Sequence, residues 1–197
     1  MTLAVIVPIK GFATGKSRLS AILSDAERTT VNRTFFDHTF DVLSQFPRAG
    51  VRIAISADQE VLAVARARGA VAVPERSPGL NAALEDAAAR AAALGARDIL
   101  VVSIDLPRLG GDDLEAMAAG DGIAIAPDRS GRGTNAIFLP NGVRIPFAYG
   151  EASFTAHVAA ARALGHEVRV IRRPGLALDV DTPEDYREWL ETRSAPD

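Results

Sequence analysis

Two strongly apolar segments constrain the fold of this chain more than any other feature. The first covers residues 3–8, and the second, at residues 98–105, is the strongest strand signal in the sequence. Strands that are apolar at successive positions are typical of a parallel sheet with helices on both faces. Because predicted strands and helices alternate through the first half of the chain, the pattern indicates an α/β fold with three layers and a mostly parallel, mixed sheet.

The remaining elements are predicted from the periodicity of apolar residues and from Gly and Pro residues that end helices and strands. Further strands are predicted at residues 51–56, 71–73, 122–126, 136–139 and 168–171. Helices are predicted at residues 25–44, 59–68, 80–94, 112–119, 153–164 and 183–192. No repeat or linker interrupts this series, and 197 residues suit one well-filled domain, so residues 1–197 are predicted to form a single domain.

Composition excludes several classes of function. The chain has 25 acidic and 22 basic residues and a formal charge of -3, so neither nucleic acid nor an anionic membrane is expected as a partner. It has no cysteine, which removes thiolate nucleophiles and zinc–thiolate sites, and its three histidines are scattered. The apolar start is too short for a signal peptide, and no apolar stretch is long enough to span a membrane. A cytoplasmic location is therefore expected.

Two carboxylates near the end of the chain, Asp179 and Asp181, lie in a segment that alternates between apolar and small or acidic residues (176–181). In a strand both side chains would leave the same face. Like charges this close favour a bound cation, and Mg²⁺ prefers carboxylate oxygens and substrate phosphates. Alternatively, Asp181 or Thr182 caps the helix that follows. Thr182 and Asp185 have the spacing of a capping box, which would leave the two aspartates free.

A third carboxylate, Asp105, ends the second apolar run. Ligands of open α/β sheets bind beyond the carboxyl ends of the strands, so Asp105 is placed for metal or ligand contact, although it could also cap the turn that follows. The loop after the first strand would lie along the same edge, and it carries three cations, Lys10, Lys16 and Arg18. Three positive charges on a glycine-containing loop suit the binding of a triphosphate, but they are equally typical of a loop that is only exposed to solvent.

Two glycine motifs resemble nucleotide-binding patterns, but their spacing or their position in the chain does not fit those patterns. Residues 11–17 resemble a phosphate-binding P-loop, but three residues rather than four separate the two glycines. Residues 131–136 match the dinucleotide pattern G-x-G-x-x-A, yet they lead into a predicted strand instead of a helix. A P-loop NTPase and a Rossmann dinucleotide enzyme are therefore rejected.

Loop-to-helix junctions supply further candidates. Gly79 and Asn81 stand where a loop enters a helix, so that backbone N–H groups and an amide could read a base or ribose, but Asn81 can equally be an N-cap. Gly150 and Ser153 precede and cap another predicted helix, and helix N-termini bind anions. Thr134 adds a hydroxyl group. This second anion site suits a small phosphorylated acid.

These features together indicate nucleotidyl transfer. Metal carboxylates, a cationic loop and a second anion pocket would meet at one sheet edge. Mg²⁺ there would neutralise the nucleotide phosphates while the phosphate of the acceptor attacks in line and pyrophosphate leaves. A phosphate acceptor is already ionised at neutral pH, so no side-chain nucleophile is required.

Several motifs keep a fixed order across nearly the whole chain. They are Pro8-Ile9-Lys10, Lys16-Ser17-Arg18-Leu19, Gly79-Leu80-Asn81-Ala82-Ala83-Leu84, Asp105-Leu106-Pro107, Pro127-Asp128-Arg129, Gly133-Thr134-Asn135, Gly150 with Ser153-Phe154 and His157, and Leu178-Asp179-Val180-Asp181-Thr182-Pro183-Glu184-Asp185. In combination they resemble the 2-phospho-L-lactate guanylyltransferase family of deazaflavin coenzyme F-420 biosynthesis. The combination is specific, unlike any one motif.

The resemblance implies one nucleotidyltransferase domain with a nucleotide-diphospho-sugar-transferase-like fold and with GTP as donor. The implied acceptor is 2-phospho-L-lactate, phosphoenolpyruvate or 3-phospho-D-glycerate, and the products are a diphosphate-linked guanosine and pyrophosphate. The implied cofactor is Mg²⁺, with the ligands Asp105, Asp179 and Asp181. The implied substrate contacts are Thr134, Gly150 and Ser153 for the acceptor, Lys10, Lys16 and Arg18 as catalytic cations on the GTP phosphates, and Pro8, Gly79 and Asn81 for the nucleotide.

Two other readings remain open. Another enzyme of the same fold, such as a molybdopterin or sugar-phosphate nucleotidyltransferase, typically has a Gly-Gly-rich loop and an Arg-Met pair after the first strand, and residues 9–12 lack both. A non-catalytic nucleotide-binding domain would be favoured by the loss of a metal carboxylate, whereas all three carboxylates are present. The oligomeric state is also open, because the Ala-rich helices suit internal packing and a homodimer interface alike.

Overall fold

A computed structural model describes residues 2–194 of the chain. Its strands are β1 Thr2–Pro8, β2 Ala49–Ser56, β3 Val71–Pro74, β4 Ala96–Val102, β5 Ile123–Pro127, β6 Thr134–Leu139 and β7 Val168–Val170. Its helices are α1 Asp25–Gln45, α2 Gln59–Ala67, α3 Leu80–Ala93, α4 Gly111–Ala118, α5 Ser153–Ala163, α6 Pro174–Ala177 and α7 Pro183–Ser194. Every strand and helix predicted outside residues 176–181 is present, with ends that differ by a few residues.

The strands form one 7-stranded sheet in the order β3-β2-β1-β4-β6-β5-β7. The β6 strand pairs antiparallel with β4 and with β5, and the other pairings are parallel. The predicted mostly parallel, mixed sheet is therefore confirmed. Because β1 lies between two parallel neighbours and under helices on both faces, residues 3–7 are all buried, which accounts for their uninterrupted apolar run.

Helices cover both faces of the sheet, which confirms the three layers. On one face, Phe36 and Phe40 of α1 pack in a cluster with Val5 of β1. On the other face, Leu84 of α3 packs in a second cluster with Ile6, whose side chain leaves the opposite side of the same strand. Burial of each such side chain contributes roughly 1.5–3 kcal/mol, so the two clusters fix the helices on the sheet. No helix within residues 2–194 is long and apolar enough to cross a membrane.

The strand conformation that would place Asp179 and Asp181 on one face is not adopted by residues 176–181. Residues 174–177 form the short helix α6, and the chain after it runs without a strand partner. Pro174 occupies the first turn of that helix, where its fixed φ and missing N–H are tolerated. The side chains of Leu176, Leu178 and Val180 are all buried, so the alternation seen in the sequence reflects burial along an irregular segment.

The second apolar run ends as a strand earlier than predicted. β4 stops at Val102, and Asp105 lies in the turn that follows. Just beyond the end of β4, the backbone N–H of Ser103 donates a hydrogen bond to the C=O of Asn135, at 2.8 Å. Asp105 therefore extends beyond the carboxyl end of the sheet, as expected for a ligand-binding position.

A small apolar cluster stabilises this carboxyl edge. It includes Leu19 from the loop after β1, Phe35 from α1, Val180, and Trp189 from α7. The rings of Phe35 and Trp189 lie 4.8 Å apart between centroids. The cluster therefore fixes the loop after β1 against the segment that carries Asp179 and Asp181, although the two are far apart in sequence.

Candidate active site

The loop after β1 has a defined conformation that depends on Gly15. A Cβ atom added at Gly15 would lie 2.7 Å from Nδ2 of Asn32, which donates to the backbone C=O of Phe12 at 2.6 Å. The next residue, Lys16, has a left-handed backbone with φ 56° and begins a single turn of 3-10 helix. Such a conformation is unfavourable for a residue with a side chain, and it is often found at functional sites.

The ammonium group of Lys16 lies between two carboxylates. It donates to Asp181 Oδ1 at 2.9 Å and to Asp105 Oδ2, and only 6% of the Lys16 side chain is exposed. Burial by itself would lower the pKa of Lys16, but the charges of Asp105 and Asp181 outweigh it and hold that pKa above its ordinary value. Lys16 is therefore charged and tightly held.

A backbone hydrogen bond brings the two acidic segments together. The N–H of Val180 donates to the C=O of Asp105 at 3.2 Å, and the Val180 side chain is fully buried in the apolar cluster at this edge. On the other side, Asp185 Oδ2 accepts from the backbone N–H of Thr182 at 2.9 Å, and Thr182 Oγ1 accepts from the N–H of Asp185 at 3.3 Å. This reciprocal pair is the predicted capping box, so α7 is capped without Asp179 or Asp181 as its N-cap.

Asp179 occupies a different position from Asp181. Its Oδ1 accepts from Asn135 Nδ2 at 3.3 Å. Burial and, secondly, the charge of Asp105 raise the pKa of Asp179 to about 6, against the effect of the Asn135 hydrogen bond. Within residues 2–194, no three His, Cys, Asp or Glu side chains are grouped in a way that could hold a metal ion. The structure thus brings Asp105 and Asp181 together around Lys16 and places Asp179 beside Asn135.

All three predicted cations lie near Asp181. Burial raises the pKa of Asp181, but Lys16, Arg18 and Lys10 outweigh it, so that the pKa falls below its ordinary value. Arg18 Nη1 lies 3.7 Å from Asp181 Oδ2, and the Arg18 side chain is 75% exposed. The cationic loop and the acidic segment therefore form one electrostatic unit, in which Arg18 remains largely exposed.

Two neighbouring cavities open at this edge. The larger, called here the edge cavity, has a volume of about 470 Å³ and includes Pro8, Lys10, Lys16, Gly79, Asp105 and Asp181 among its lining residues. The smaller, about 230 Å³, is lined by Arg18, Arg129, Asp179 and Asp181 among others. Asp181 lines both cavities. Four other predicted site residues line neither of these two cavities: Asn81, Thr134, Gly150 and Ser153.

The hydroxyl of Thr134 is held by a buried histidine. Oγ1 of Thr134 lies 3.0 Å from Nδ1 of His157, and Nε2 of His157 accepts from the backbone N–H of Ala148 at 2.9 Å. Burial lowers the pKa of His157 to about 4, so the ring is neutral. Because a backbone N–H can only donate, the ring proton lies on Nδ1 and is donated to Thr134. The hydroxyl proton of Thr134 therefore remains available for a ligand.

Asn81 is neither an N-cap nor a free amide. Gly79, with φ +104°, is the N-cap of α3, so the alternative that Asn81 caps this helix is wrong. The Asn81 side chain accepts from the N–H of Tyr149 at 2.7 Å and donates to its C=O at 3.1 Å. This pair of bonds ties α3 to the segment that enters α5.

Ser153 begins α5 but does not cap it. The N-cap is Ala152, in a left-handed conformation without a side-chain bond, and this part of the prediction is wrong. Ser153 and His157 are separated by one helical turn, so they share the buried face of α5. Gly150 has φ +142°, and its C=O accepts from the N–H of Ser153 at 3.3 Å. Gly150, Ser153 and Thr134 are thus assembled around His157.

Two side chains that sequence reasoning gave no role are now part of the site. His157 orients Thr134, and Asn135 contacts both Asp179 and the C=O of Leu176, the latter at 3.0 Å. The spacing of four residues between Ser153 and His157 in one predicted helix was a signal that these side chains share a face. No sequence pattern indicated the partners of Asn135, because they depend on how α6 packs.

Comparison with known proteins identifies relatives over nearly the full chain. Residues 3–192 match the family described as guanylyl transferase CofC like. The phosphoenolpyruvate guanylyltransferase of Sphaerobacter thermophilus is 40% identical over 191 residues, which cover 95% of this chain and 92% of that protein. The 2-phospho-L-lactate guanylyltransferase of Methanothermobacter thermautotrophicus is 34% identical over 196 residues, which cover 96% of this chain and 85% of that protein.

Solved structures with this fold are more distant in sequence. A nucleotide-diphospho-sugar transferase structure from Desulfovibrio desulfuricans G20 has a TM-score of 0.81 at 16% identity and covers 98% of this chain and 89% of its own. A manganese complex from Mycobacterium tuberculosis H37Rv has a TM-score of 0.61 at 24% identity and covers 97% of this chain and 98% of its own. These likenesses concern the fold, and they confirm the predicted nucleotide-diphospho-sugar-transferase-like architecture.

Proposed function

The chain belongs to the guanylyl transferase CofC-like family, and from that premise we propose that it transfers GMP from GTP to a small phosphorylated carboxylic acid and releases pyrophosphate. The place of this reaction is coenzyme F-420 biosynthesis, as the family resemblance implies. The acceptor is 2-phospho-L-lactate, phosphoenolpyruvate or 3-phospho-D-glycerate. Phosphoenolpyruvate comes first for testing, because the relative at 40% identity is named for it.

The observation that carries this proposal is the position of Lys16 between Asp105 and Asp181. The three charges lie in the edge cavity, beyond the carboxyl ends of β1 and β4. A held ammonium group interacts strongly with phosphate oxygens because little of it is solvated. Lys10 lines the same cavity and Arg18 lies on its Asp181 side, so both add positive charge where a triphosphate would lie.

Mg²⁺ is the proposed cofactor, and two of its three predicted ligands, Asp105 and Asp181, fit it as they stand. Asp105 and Asp181 already accommodate a cation between them, in the form of the Lys16 ammonium group. Their oxygens, with those of Asp179 nearby, are the hard ligands that Mg²⁺ prefers. Asp105 and Asp181 would hold the ion, and Asp179 would join them by turning from its contact with Asn135. When bound, it supplies charge neutralisation at the nucleotide phosphates.

The acceptor is proposed to bind at Thr134, Gly150 and Ser153. Thr134 offers a hydroxyl proton, because its oxygen already accepts from His157. Ser153 lies in the first turn of α5, where the positive end of the helix dipole favours a carboxylate or phosphate, and the N–H groups of Ser153 and Phe154 are held by the C=O groups of Gly150 and Arg132. Asn81 acts on this site indirectly, because its two bonds to Tyr149 position the residue before Gly150.

In the proposed reaction, a phosphate oxygen of the acceptor attacks the α-phosphorus of GTP. A phosphorus–oxygen bond forms there as the bond between the α- and β-phosphates breaks, and the electron pair leaves with pyrophosphate. The residues of this chain orient the two substrates and balance the charge that builds up on the leaving group, with Lys16 as the most buried cation.

The test is a reaction of the purified protein with GTP, Mg²⁺ and each of the three acids, with the product detected by mass. We expect pyrophosphate and a diphosphate-linked guanosine from at least one acid, and no product without acid or without Mg²⁺. Protein that binds GTP but converts none of the three acids would refute the enzymatic proposal and leave the non-catalytic reading. Product from a sugar phosphate or a molybdopterin instead would favour the other enzymes of this fold.

A further inference from the structure

The end of the edge cavity farthest from the metal carboxylates carries one more acid, Glu75. Of the described residues that line this cavity, Glu75, Asp105 and Asp181 are the carboxylates, and Glu75 follows β3, whereas Asp105 follows β4. Strands β1 and β2 lie between them in the sheet, which makes three strand spacings, or about 14 Å. The cavity therefore extends along the sheet edge over a length suited to a nucleoside triphosphate.

The surroundings of Glu75 suit a flat aromatic ring. Leu80 and Ala83 of α3 and Pro8 of β1 line the cavity, and Leu80 is 42% exposed although it is a large apolar residue. The exposed leucine provides an apolar contact for the face of a base, and the neighbouring carboxylate provides a polar group for the edge of the base. At the opposite end of the edge cavity, Lys16 provides positive charge for the phosphates.

Glu75 is fixed in place and still has free acceptor capacity. Its backbone N–H donates to the C=O of Ser56 at 2.9 Å, and its Oε1 accepts from the N–H of Gly79 at 3.2 Å. Among residues 2–194 its Oε2 has no hydrogen-bond partner and the carboxylate has no ion pair. A carboxylate accepts about four hydrogen bonds, so most of the acceptor capacity of this cavity-lining group is unused.

From this geometry we infer that Glu75 selects guanine by accepting hydrogen bonds from its N1–H and N2–H₂ groups. The inference deepens the proposed function and rests on it, since it places the base of GTP at this end of the cavity. Two adjacent donors on the guanine edge match two carboxylate oxygens. Adenine presents an acceptor at N1, which the carboxylate repels, and the analogue hypoxanthine lacks the N2 amino group.

The variant that tests the role of Glu75 is Glu75→Gln. The Gln carbonyl can still accept from Gly79, so the start of α3 keeps its hydrogen bond. The Gln amide, however, can accept from N1–H and donate to the C2 carbonyl of xanthine, and it opposes the N2 amino group of guanine. We expect the preference for GTP over XTP to fall by about tenfold or more, since losing a built hydrogen bond strongly affects discrimination.

The measurement is equilibrium binding of GTP, ITP, XTP and ATP by calorimetry, together with turnover of each. Glu167→Gln is the matched control, because Glu167 is exposed and precedes β7 at the opposite edge of the sheet. Its GTP-to-XTP ratio should equal that of the wild type. If Glu75 only stabilised α3, Glu75→Gln would weaken the binding of GTP and of XTP equally. An unchanged ratio of GTP affinity to XTP affinity would therefore overturn the assignment.

A further comparison needs no variant. Wild-type protein should bind GTP about tenfold or more tighter than ITP, since ITP lacks one of the two donors. Equal binding of GTP and ITP would overturn the role of Glu75. Base-selective binding through Glu75 without formation of product would refute the proposed transfer reaction and leave this assignment intact, so the two failures are distinguishable.

Discussion

The backbone C=O of Asp105 accepts a hydrogen bond from the backbone N–H of Val180 at 3.2 Å. This bond holds the turn after β4 against the segment that carries Asp179 and Asp181. Because it involves the main chain of Asp105, it remains when the side chain of Asp105 is changed. The effect of the carboxylate on turnover can therefore be separated from its effect on the fold.

Asp105→Asn is expected to abolish turnover while the protein stays folded. The amide has the volume of the carboxylate but no charge, so Lys16 and a bound cation lose one partner. We expect kcat to fall by about 100-fold or more, as when a preorganised electrostatic group is removed. Pyrophosphate release measures turnover, and a circular dichroism melt measures folding. The control is Asp121→Asn, at an exposed position before β5. Near-wild-type activity would remove Asp105 from the metal site.

Lys16→Met should make the protein more responsive to a divalent cation. Met leaves Asp105 and Asp181 without the cation between them, and because those carboxylates are partly exposed we expect a loss of about 1–3 kcal/mol of folding free energy. Added Mg²⁺ should raise the melting temperature of this variant more than that of the wild type. Lys10→Met is the control for loss of positive charge. Equal Mg²⁺ shifts in wild type and variant would contradict the position assigned to Lys16.

Gly15→Ala should disturb the cationic loop through contact with Asn32. The added Cβ would lie 2.7 Å from Nδ2 of Asn32, so either the loop or this side chain must shift. Overpacking of this kind costs about 1–3 kcal/mol, and we expect a matching loss of stability with a higher KM for GTP. The control is Gly111→Ala, since a Cβ there has no neighbour within 4 Å. If the two alanine variants behave alike, the loop does not depend on Gly15.

The sequence was sufficient to predict the mostly parallel sheet and the position of Asp105 at its carboxyl edge, but not the details of the helix starts. Continuous apolar runs predicted buried parallel strands, and the position of Asp105 after such a run placed it beyond the sheet. The strand conformation considered for residues 176–181 is absent, because burial can also alternate in a segment without a strand partner. Ser153 was predicted to cap α5, and Asn81 either to contact the nucleotide or to cap α3. Tertiary contacts, of Asn81 with Tyr149 and of Ser153 on the buried face of α5, hold these side chains instead.

The bond between His157 and Thr134 predicts a change in acceptor binding. Phe at position 157 keeps a buried ring but removes the donor to Thr134 and the acceptor for the N–H of Ala148. In His157→Phe, we expect the KM for the acid to rise about tenfold, in line with the loss of one or two positioned hydrogen bonds, while the KM for GTP changes little. Steady-state kinetics with each substrate varied in turn measures both. A rise in the GTP KM alone would contradict this role of His157.

His157 also predicts how stability depends on pH. Its pKa is about 4 in the folded protein and 6.5 as an ordinary histidine, so between these values the unfolded chain binds more protons. Stability is therefore complete above pH 6.5 and falls as the pH decreases toward 4. At about 1.4 kcal/mol per pKa unit, the loss reaches at most about 3.5 kcal/mol. Asp179, with its pKa raised to about 6, has the opposite effect over part of this range.

The contribution of His157 is therefore measured as a difference between wild type and His157→Gln. Urea unfolding at a series of pH values from 8 to 4 gives the free energy of unfolding of each protein, provided each unfolds in a two-state manner. Because Asp179 is present in both proteins, its effect cancels, and the variant should lose less stability below pH 6.5 than the wild type. His166→Gln, which removes a half-buried histidine before β7, should retain the wild-type slope. A variant slope equal to that of the wild type would contradict the lowered pKa of His157 in the folded protein.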